Sequence, residues 1–267
     1  MATESPENGK TALVTGASSG IGAELIRKIA SDGYDIVLTA RREDRLNELS
    51  RELEDRYGVS TTVIPKDLSE PDAPVELFES VREAGFQVHT LVNNAGFPVY
   101  GRFDETPLED ELAMMQVNMA GLTHLTKLYI QPMVERGDGA ILNSASLAAF
   151  SAVPRIAVYA ATKAYILSFS EALAHEFKDE GIQVTALCPG AVGTEFYEKG
   201  NIDESQVSEG SMNDPASVAE AGWEGLKAGD RVVRPATKTK FLSRLPRILP
   251  RKMMTSMVAG VFKPKQE

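Results

Sequence analysis

The sequence predicts an α/β fold: a single, doubly wound parallel sheet with helices on both faces. Short apolar runs alternate with longer segments of helical periodicity, and a glycine-rich turn joins the first run to the first helix. This alternation is typical of βαβ units, whose crossovers are right-handed. A chain of 267 residues with 43% hydrophobic residues can bury the core of one such domain.

Six runs of apolar or alternating residues predict the strands, because buried and half-buried strands show these two patterns. The first three cover residues 11–15, 35–39 and 59–64. The other three lie within the stretches "HTLVNNAG" (89–96), "GAILNSAS" (139–146) and "IQVTALCPG" (182–190).

The segments between these runs predict helices near residues 20–31, 43–57, 72–84 and 107–134, with a further helix ending at about 178. In the long segment 107–134, apolar residues recur every three or four positions; they are Leu108, Leu112, Met115, Leu122 and Leu125. A last helix follows Asp214, a favourable N-cap, with Pro215 at its first position. Trp223 in that helix is expected to pack in the core.

Charge is distributed unevenly along the chain. From residue 231 onward there are ten lysines and arginines and one glutamate, so 18 basic and 37 acidic residues remain in the first 230. Nucleic acids attract basic patches, and the acidic body therefore argues against a nucleic-acid partner.

The single cysteine, Cys188, excludes an internal disulfide and favours a reducing compartment. The first ten residues, "MATESPENGK", lack the basic and apolar regions of a signal peptide. No apolar run approaches the roughly 20 residues that a membrane-spanning helix needs. We therefore expect a cytoplasmic protein with a flexible N-terminal tail (1–10).

The segment "TGASSGIG" (15–22) lies between the first predicted strand and the first predicted helix. Glycines there allow a sharp turn and let phosphate oxygens approach the helix N-terminus, where free N–H groups and the helix dipole favour anions. The spacing of Gly16, Gly20 and Gly22 differs from the general G-x-G-x-x-G fingerprint. On its own, the segment fits either a dinucleotide-binding loop or an unrelated glycine-rich turn.

The second predicted strand runs into "TARRED" (39–44). NAD enzymes of this architecture tend to carry an acidic residue here, which accepts a hydrogen bond from the ribose 2′-hydroxyl. Arg41 and Arg42 follow Ala40 instead, and a guanidinium pairs with a 2′-phosphate that a carboxylate would repel. The segment predicts NADP(H) in preference to NAD(H), chiefly through Arg41. Arg42 fits either the phosphate or, with Arg45, the start of a solvated helix.

Tyr159 and Lys163 stand four residues apart in the alanine-rich segment "VYAATKAYIL". On a helix, such residues share one face, so the lysine ammonium can favour the tyrosine phenolate. A lone pair of this kind also arises by chance, and it needs support from other motifs.

Seven motifs in register resemble the short-chain dehydrogenase/reductase family over residues 11 to about 234. They are "TGASSGIG" (15–22), "KDL" (66–68), "NNAG" (93–96), Asn118, Ser146, the Tyr159/Lys163 pair, and "PG" (189–190) with Thr194 beyond it. Ser146 lies thirteen residues before Tyr159, which is the family's usual spacing. The resemblance implies a Rossmann-type fold in which residues 11–234 bind a dinucleotide and carry catalysis.

The resemblance also implies which residues contact the cofactor. Asp67 would bond the adenine amino group, Asn94 would lie by a ribose, and Val192 and Thr194 would hold the nicotinamide carboxamide. Ser19 stands where some NADP-dependent relatives carry a basic residue, so phosphate recognition falls to Arg41 with Ser18 and Arg42. The full set is Gly16, Ser18, Ser19, Gly20, Ile21, Gly22, Arg41, Arg42, Asp67, Leu68, Asn94, Ala95, Gly96, Tyr159, Lys163, Pro189, Gly190, Val192 and Thr194.

Four residues are predicted to carry catalysis, and no metal is expected among them. Tyr159 would exchange the proton, Lys163 would stabilise its phenolate, and Ser146 would bond the substrate oxygen. Ser144 is a second candidate for the serine, although the spacing favours Ser146. In relatives, the equivalent of Asn118 holds a water in the proton path to the lysine; the alternative is a polar residue that kinks an apolar helix.

Two segments are expected to shape the substrate site. Residues from about 191 to 214 correspond to the family's substrate-contacting segment and predict a mobile lid, or else an ordinary solvated loop. Residues 235–267 form a basic and apolar C-terminal extension, which Pro246 and Pro250 should break into pieces. The extension fits packing over the cleft, a subunit interface, or peripheral contact with an anionic membrane surface.

These observations predict an NADP(H)-dependent oxidoreductase that interconverts a ketone and a secondary alcohol of small-molecule size, including apolar or lipid-like substrates. The alternative is a non-catalytic dinucleotide-binding regulator or scaffold, against which the presence of Tyr159 and Lys163 argues. By analogy with relatives that pair through their long helices, we expect a homodimer or homotetramer.

Overall fold

Seven parallel strands form one sheet in the computed structural model of the chain, which describes residues 9–195 and 212–260. Their order across the sheet is β3-β2-β1-β4-β5-β6-β7, and each neighbouring pair is parallel. The strands are β1 (Thr11–Thr15), β2 (Asp35–Thr39), β3 (Thr61–Val63), β4 (Val88–Asn93), β5 (Gly139–Ser144), β6 (Ile182–Leu187) and β7 (Val232–Val233). The chain order reverses between β1 and β4, and sheets of this kind bind ligands at such a switch point.

The helices connect these strands and extend beyond the last one. They are α1 (Gly20–Ser31), α2 (Glu43–Tyr57), α3 (Ala73–Glu83), α4 (Leu108–Met115), α5 (Leu122–Arg136), α6 (Ala157–Glu176), α7 (Pro215–Lys227), α8 (Thr237–Leu242) and α9 (Arg251–Ala259). Short 3₁₀ turns cover Leu147–Phe150 and Leu245–Arg247, and a π-helical turn covers Gln116–Gly121.

Two hydrophobic cores, one on each face of the sheet, confirm the predicted fold class. Side chains from α1, α2 and α7 pack on one face, and Trp223 of α7 is buried there as expected. Side chains from α3, α5 and α6 pack on the other face. The Asp214 side chain accepts a hydrogen bond from Ser217 N, so it caps α7 as predicted.

Four features differ from the sequence prediction. β3 is three residues long, and the predicted helix over 107–134 is divided by the π-helical turn between α4 and α5. In addition, Leu108 and Leu112 of α4 are exposed, whereas Leu122 and Leu125 of α5 are buried. β7 was not predicted, because two residues are too short to show strand periodicity.

The C-terminal extension is divided as the two prolines predict. Pro246 lies in the second 3₁₀ turn, and Pro250 immediately precedes α9. Within the described ranges, no helix combines the length and the apolar character that crossing a bilayer requires.

Candidate active site

One cavity of about 790 Å³ lies at the carboxyl edge of the sheet, where β1, β4, β5 and β6 end. It extends from the glycine loop (15–22) to the C-terminal extension. Nineteen of the predicted site residues line it; they are Gly16, Ser18, Ser19, Gly20, Ile21, Arg41, Arg42, Asp67, Leu68, Asn94, Ala95, Gly96, Ser146, Tyr159, Lys163, Pro189, Gly190, Val192 and Thr194. Gly22 and Asn118 lie behind this lining.

The glycine loop has the backbone geometry that close approach of a phosphate requires. Gly16 and Gly20 have φ angles of 67° and 55°, which favour glycine. A Cβ atom on Gly22 would lie 2.3 Å from Gly16 O, so the turn closes only with glycine there. The N-terminus of α1 has no side-chain capping hydrogen bond. Because the N–H groups of its first turn remain available for an anion, the loop fits a dinucleotide pyrophosphate.

Thr15 and Asn94 hold the glycine loop against the end of β4. Thr15 Oγ1 donates to Val92 O at 3.2 Å and accepts from the backbone N of Asn94 and Ala95, both at 3.0 Å. Asn94 Nδ2 donates to Thr15 O and Gly16 O at 3.2 and 3.3 Å. Thr15 was not singled out from the sequence, because its role depends on a strand 77 residues away.

The two candidate serines differ in their hydrogen bonds. Ser144 Oγ donates to Asn94 Oδ1 at 3.2 Å, which ties the end of β5 to the end of β4. Ser146 has extended backbone at the start of a 3₁₀ turn, and its Oγ accepts from Ala148 N at 3.1 Å. The Ser146 hydroxyl proton is therefore not used in that bond and can serve a ligand oxygen.

Tyr159 and Lys163 lie one turn apart on α6 and are both buried, with 6% and 4% of their surface exposed. Lys163 Nζ donates to Ser144 O at 2.7 Å and lies 5.5 Å from the centre of the Tyr159 ring. Burial lowers the pKa of the Lys163 ammonium to about 8. The lysine is thus held beside the tyrosine, and both residues line the cavity.

Asn118 lies in the π-helical turn, fully buried, and its carboxamide is used within the protein. Its Oδ1 accepts from Phe97 N at 3.3 Å, and its Nδ2 donates to Phe97 O at 3.2 Å and Thr162 Oγ1 at 3.1 Å. A Cβ atom on Gly96 would lie 2.9 Å from Asn118 Oδ1 and 3.4 Å from Lys163 Nζ. Asn118 therefore fixes the wall of the cavity beside the lysine, in a type of turn that is frequent at functional sites.

Arg42 lies against the glycine loop. Its Nη2 donates to Ser18 Oγ at 3.0 Å and to Ser19 Oγ at 2.8 Å. Its Nη1 donates to Glu195 Oε2 at 2.8 Å, and Arg45 Nη1 donates to the other oxygen of the same carboxylate. These hydrogen bonds, that of Arg45 first, lower the pKa of Glu195 to about 2. Arg42 is thus both the N-cap residue of α2 and a contact of the glycine loop.

Arg41 is more exposed, with 63% of its side chain accessible, and its Nη1 lies 3.8 Å from Asp67 Oδ2. Asp67 Oδ1 accepts from Ser69 N and Ser69 Oγ at 3.0 and 2.8 Å. Arg41 thus lines the cavity with a largely accessible side chain, and its ion pair with Asp67 is long. Arg41 and Arg42 were both predicted at this end of the cavity, and the structure adds Glu195 to them.

The predicted lid begins and ends on paired backbone. Val192 and Asn213 form an isolated parallel bridge, and Asn213 N donates to Ala191 O at 2.8 Å. Thr194 packs on the glycine loop, since a Cβ atom on Gly20 would lie 2.9 Å from Thr194 Cγ2. The rest of the predicted lid, including Phe196 and Tyr197, lies outside the described residues.

The far end of the cavity is apolar. Its lining there comes partly from the segment after β5 and partly from the C-terminal extension; it consists of Phe150, Val153, Ile156, Leu242, Leu245, Pro246, Met254, Met257 and Val258. Of the alternatives for the extension, packing over the cleft describes these contacts. Across the described ranges, His, Cys, Asp and Glu side chains form no group of three that could hold a metal ion.

Known proteins resemble the chain in sequence and in fold. The family model of the short chain dehydrogenases matches residues 10–205. Very-long-chain 3-oxoacyl-CoA reductase from Mus musculus is 29% identical to this chain. The alignment covers 97% of this chain and 81% of that protein. A short-chain dehydrogenase from Sphingobium yanoikuyae in complex with NADPH has a TM-score of 0.80 and 32% identity, covering 85% of this chain and 88% of that one. A short-chain dehydrogenase/reductase from Burkholderia phymatum in complex with NAD has a TM-score of 0.81 and 25% identity, covering 91% and 94%.

Proposed function

Since the chain belongs to the short-chain dehydrogenase family, we propose that it interconverts a ketone and a secondary alcohol with NADP(H). The observation that carries the proposal is one continuous cavity. It is lined at one end by Arg41 and Arg42 and further along by Ser146, Tyr159 and Lys163. A phosphate-recognising end and a proton-transferring end therefore share the same space.

Several residues would hold the cofactor. Arg41, Arg42 and Ser18 would contact the 2′-phosphate, the glycine loop the pyrophosphate, and Val192 and Thr194 the carboxamide. When bound, the nicotinamide supplies the hydride for reduction and accepts it in oxidation. The remaining chemistry, which is proton transfer and stabilisation of charge, falls to side chains of this chain.

Tyr159 exchanges the proton in this proposal. In reduction it gives its phenolic proton to the substrate oxygen as negative charge develops there, and in oxidation it takes the proton back. The Lys163 ammonium stabilises the phenolate that remains. Ser146 donates a hydrogen bond to the substrate oxygen, which it can do because its Oγ accepts, rather than donates, in the bond with Ala148 N.

The apolar end of the cavity supports an apolar or lipid-like substrate. Leu242, Leu245 and Met254 of the extension, together with Phe150 and Ile156, offer hydrocarbon surface rather than charge to the substrate. The name of the mouse relative, a very-long-chain 3-oxoacyl-CoA reductase, agrees with such a substrate.

Cofactor preference is a local property, because relatives of the same fold hold either NADPH or NAD. We propose NADP(H) from the side chains that follow β2. The test is fluorescence titration with NADPH and NADH of the wild type, of Arg41→Ala and of a matched control, Arg51→Ala. Arg51 is exposed on α2, and its Nε donates to Asn47 O of the same helix.

The wild type should bind NADPH more tightly than NADH. Arg41→Ala should weaken NADPH binding about tenfold or more while leaving NADH unchanged, since a charge-assisted hydrogen bond to the phosphate is lost. Arg51→Ala should behave as the wild type. Equal binding of the two cofactors by the wild type, unaffected by Arg41→Ala, would contradict the cofactor assignment.

We also propose a homodimer or homotetramer that contacts membrane surfaces. Leu108, Leu112 and Met115 form an exposed apolar stripe along α4, as a helix at a subunit interface would.

Phe241 and Ile248 are exposed on the basic extension and suit an anionic lipid surface. The lone, buried thiol of Cys188 agrees with a cytoplasmic location.

A further inference from the structure

Glu195 pairs with Arg42, which contacts the glycine loop, and with Arg45 on the following helix. Its carboxylate accepts from Arg42 with one oxygen and from Arg45 with the other, although 150 residues or more separate it from both. We propose that Glu195 is a specificity-determining residue that competes with the cofactor 2′-phosphate for these arginines. The inference rests on the proposed function, because it presupposes a phosphate at this end of the cavity.

The competition follows from the position of Arg42. The same guanidinium that pairs with Glu195 also donates to Ser18 Oγ and Ser19 Oγ, so it lies directly over the glycine loop. Both Arg42 and Glu195 line the cavity. A dianionic phosphate that reaches Arg42 there must displace the carboxylate or bind beside it, and both outcomes cost free energy.

The Glu195 carboxylate also has a role when no phosphate is bound, because it offsets the repulsion among neighbouring arginines. Arg41, Arg42 and Arg45 stand within five positions of one another after β2, and like charges at this spacing repel. Glu195 neutralises part of this cluster, and Asp67 lies 3.8 Å from Arg41. Each end of the arginine cluster therefore has a carboxylate of the protein as its partner.

This arrangement changes the affinity for NADPH but not for NADH. NADH has no 2′-phosphate and does not need the arginines, so Glu195 can stay paired when NADH binds. Glu195 therefore reduces the preference for NADPH over NADH, and its removal should increase the ratio of the two affinities. A residue with a purely structural role would change both affinities together.

The experiment measures the dissociation constants of NADPH and NADH by fluorescence for the wild type, Glu195→Gln, Glu195→Asp and Glu48→Gln. Glu195→Gln should bind NADPH about threefold or more tightly than the wild type, as expected for loss of one competing carboxylate that forms two partly exposed ion pairs. NADH binding should be unchanged. Glu195→Asp, which keeps the charge, should lie closer to the wild type. Glu48→Gln removes one exposed carboxylate from α2 and is the control for net charge.

A second probe isolates the phosphate end. Adenosine 2′,5′-bisphosphate and adenosine 5′-monophosphate lack the nicotinamide and differ in the 2′-phosphate. Glu195→Gln should therefore strengthen binding of the bisphosphate and leave binding of the monophosphate unchanged. The increase in NADPH affinity caused by Glu195→Gln should be smaller at high salt, where exposed charges are screened.

Two results would overturn the inference. If Glu195→Gln leaves NADPH binding unchanged or weakens it while the wild type still prefers NADPH, the competition is wrong and the proposed function stands. If the wild type binds NADPH and NADH equally, and Arg41→Ala changes neither, both the inference and the cofactor assignment are wrong.

Discussion

Lys163 shows how one buried side chain links packing to chemistry. An ammonium with 4% of its surface exposed is costly unless it is hydrogen-bonded, and Ser144 O at 2.7 Å provides that bond. Because Ser144 is the last residue of β5, the lysine is held at the carboxyl edge of the sheet. Burial lowers the pKa of the lysine to about 8, because desolvation disfavours its charged form.

The role of Tyr159 can be tested with a matched pair of phenols on the same helix. Tyr159→Phe should lower kcat by about 10²–10⁴-fold, the usual contribution of a general acid or base, while NADPH binding stays close to that of the wild type. Tyr165→Phe is the control, since Tyr165 Oη bonds Thr123 Oγ1 at 2.7 Å and its ring stacks on Phe169. Near-normal turnover by Tyr159→Phe would rule out the role assigned to this residue.

At the scale of elements, buried polar side chains join strands to helices behind the cavity. Asn93 Nδ2, at the end of β4, donates to Asn143 Oδ1 of β5 at 2.9 Å and to Thr126 Oγ1 of α5 at 3.0 Å. Asn143 Nδ2 donates in turn to Ser170 Oγ of α6 at 2.9 Å. Since α6 carries Tyr159 and Lys163, this chain of hydrogen bonds sets the helix relative to the strand ends.

Asn143→Ala should therefore destabilise the protein. The change removes two buried hydrogen bonds and leaves groups of Asn93 and Ser170 without these partners, which should cost about 2–4 kcal/mol of unfolding free energy. Chemical denaturation followed by circular dichroism measures the loss. Asn47→Ala, on the exposed side of α2, should change the stability by less than about 0.5 kcal/mol. A similar small effect for Asn143→Ala would show that the network contributes little.

Element types were predictable where the local pattern is strong. The first two strands and first two helices begin and end where periodicity places them, because apolar runs and amphipathic repeats are local signals. The π-helical turn around Asn118 was not predictable, since hydrogen bonds to Phe97 and Thr162 from other parts of the chain accompany it. Tertiary contacts, rather than propensity, decide such a turn.

The candidate site shows the same division. Motifs such as the glycine loop and the Tyr159/Lys163 pair are short, so the sequence alone could nominate them. Arg42 and Glu195 are 153 residues apart in the sequence, so no local pattern predicts their pairing. The sequence therefore predicts Arg41 and Arg42 at the phosphate end, whereas the structure adds Glu195 as the carboxylate partner of Arg42.

At the scale of the whole molecule, the C-terminal extension gives the acidic body a basic and apolar side. Its inner residues, including Leu242 and Met254, line the cavity, while Phe241 and Ile248 are 66% and 79% exposed. Exposed apolar side chains beside Lys240 and Arg244 form the kind of surface that anionic lipid headgroups attract.

Vesicle sedimentation tests this membrane contact on the full chain. The wild type should sediment with anionic phosphatidylserine-containing vesicles at low salt, remain in the supernatant with purely zwitterionic vesicles, and be released at high salt because the attraction is screened. The double variant Phe241→Ser/Ile248→Ser should sediment several-fold less, since it loses apolar surface but no charge. Phe103→Ser is the control, because Phe103 is 70% exposed on the loop before α4. Wild-type protein that stays in the supernatant at low salt, or a Phe103→Ser variant that loses binding as strongly as the double variant, would contradict an interfacial role for the extension.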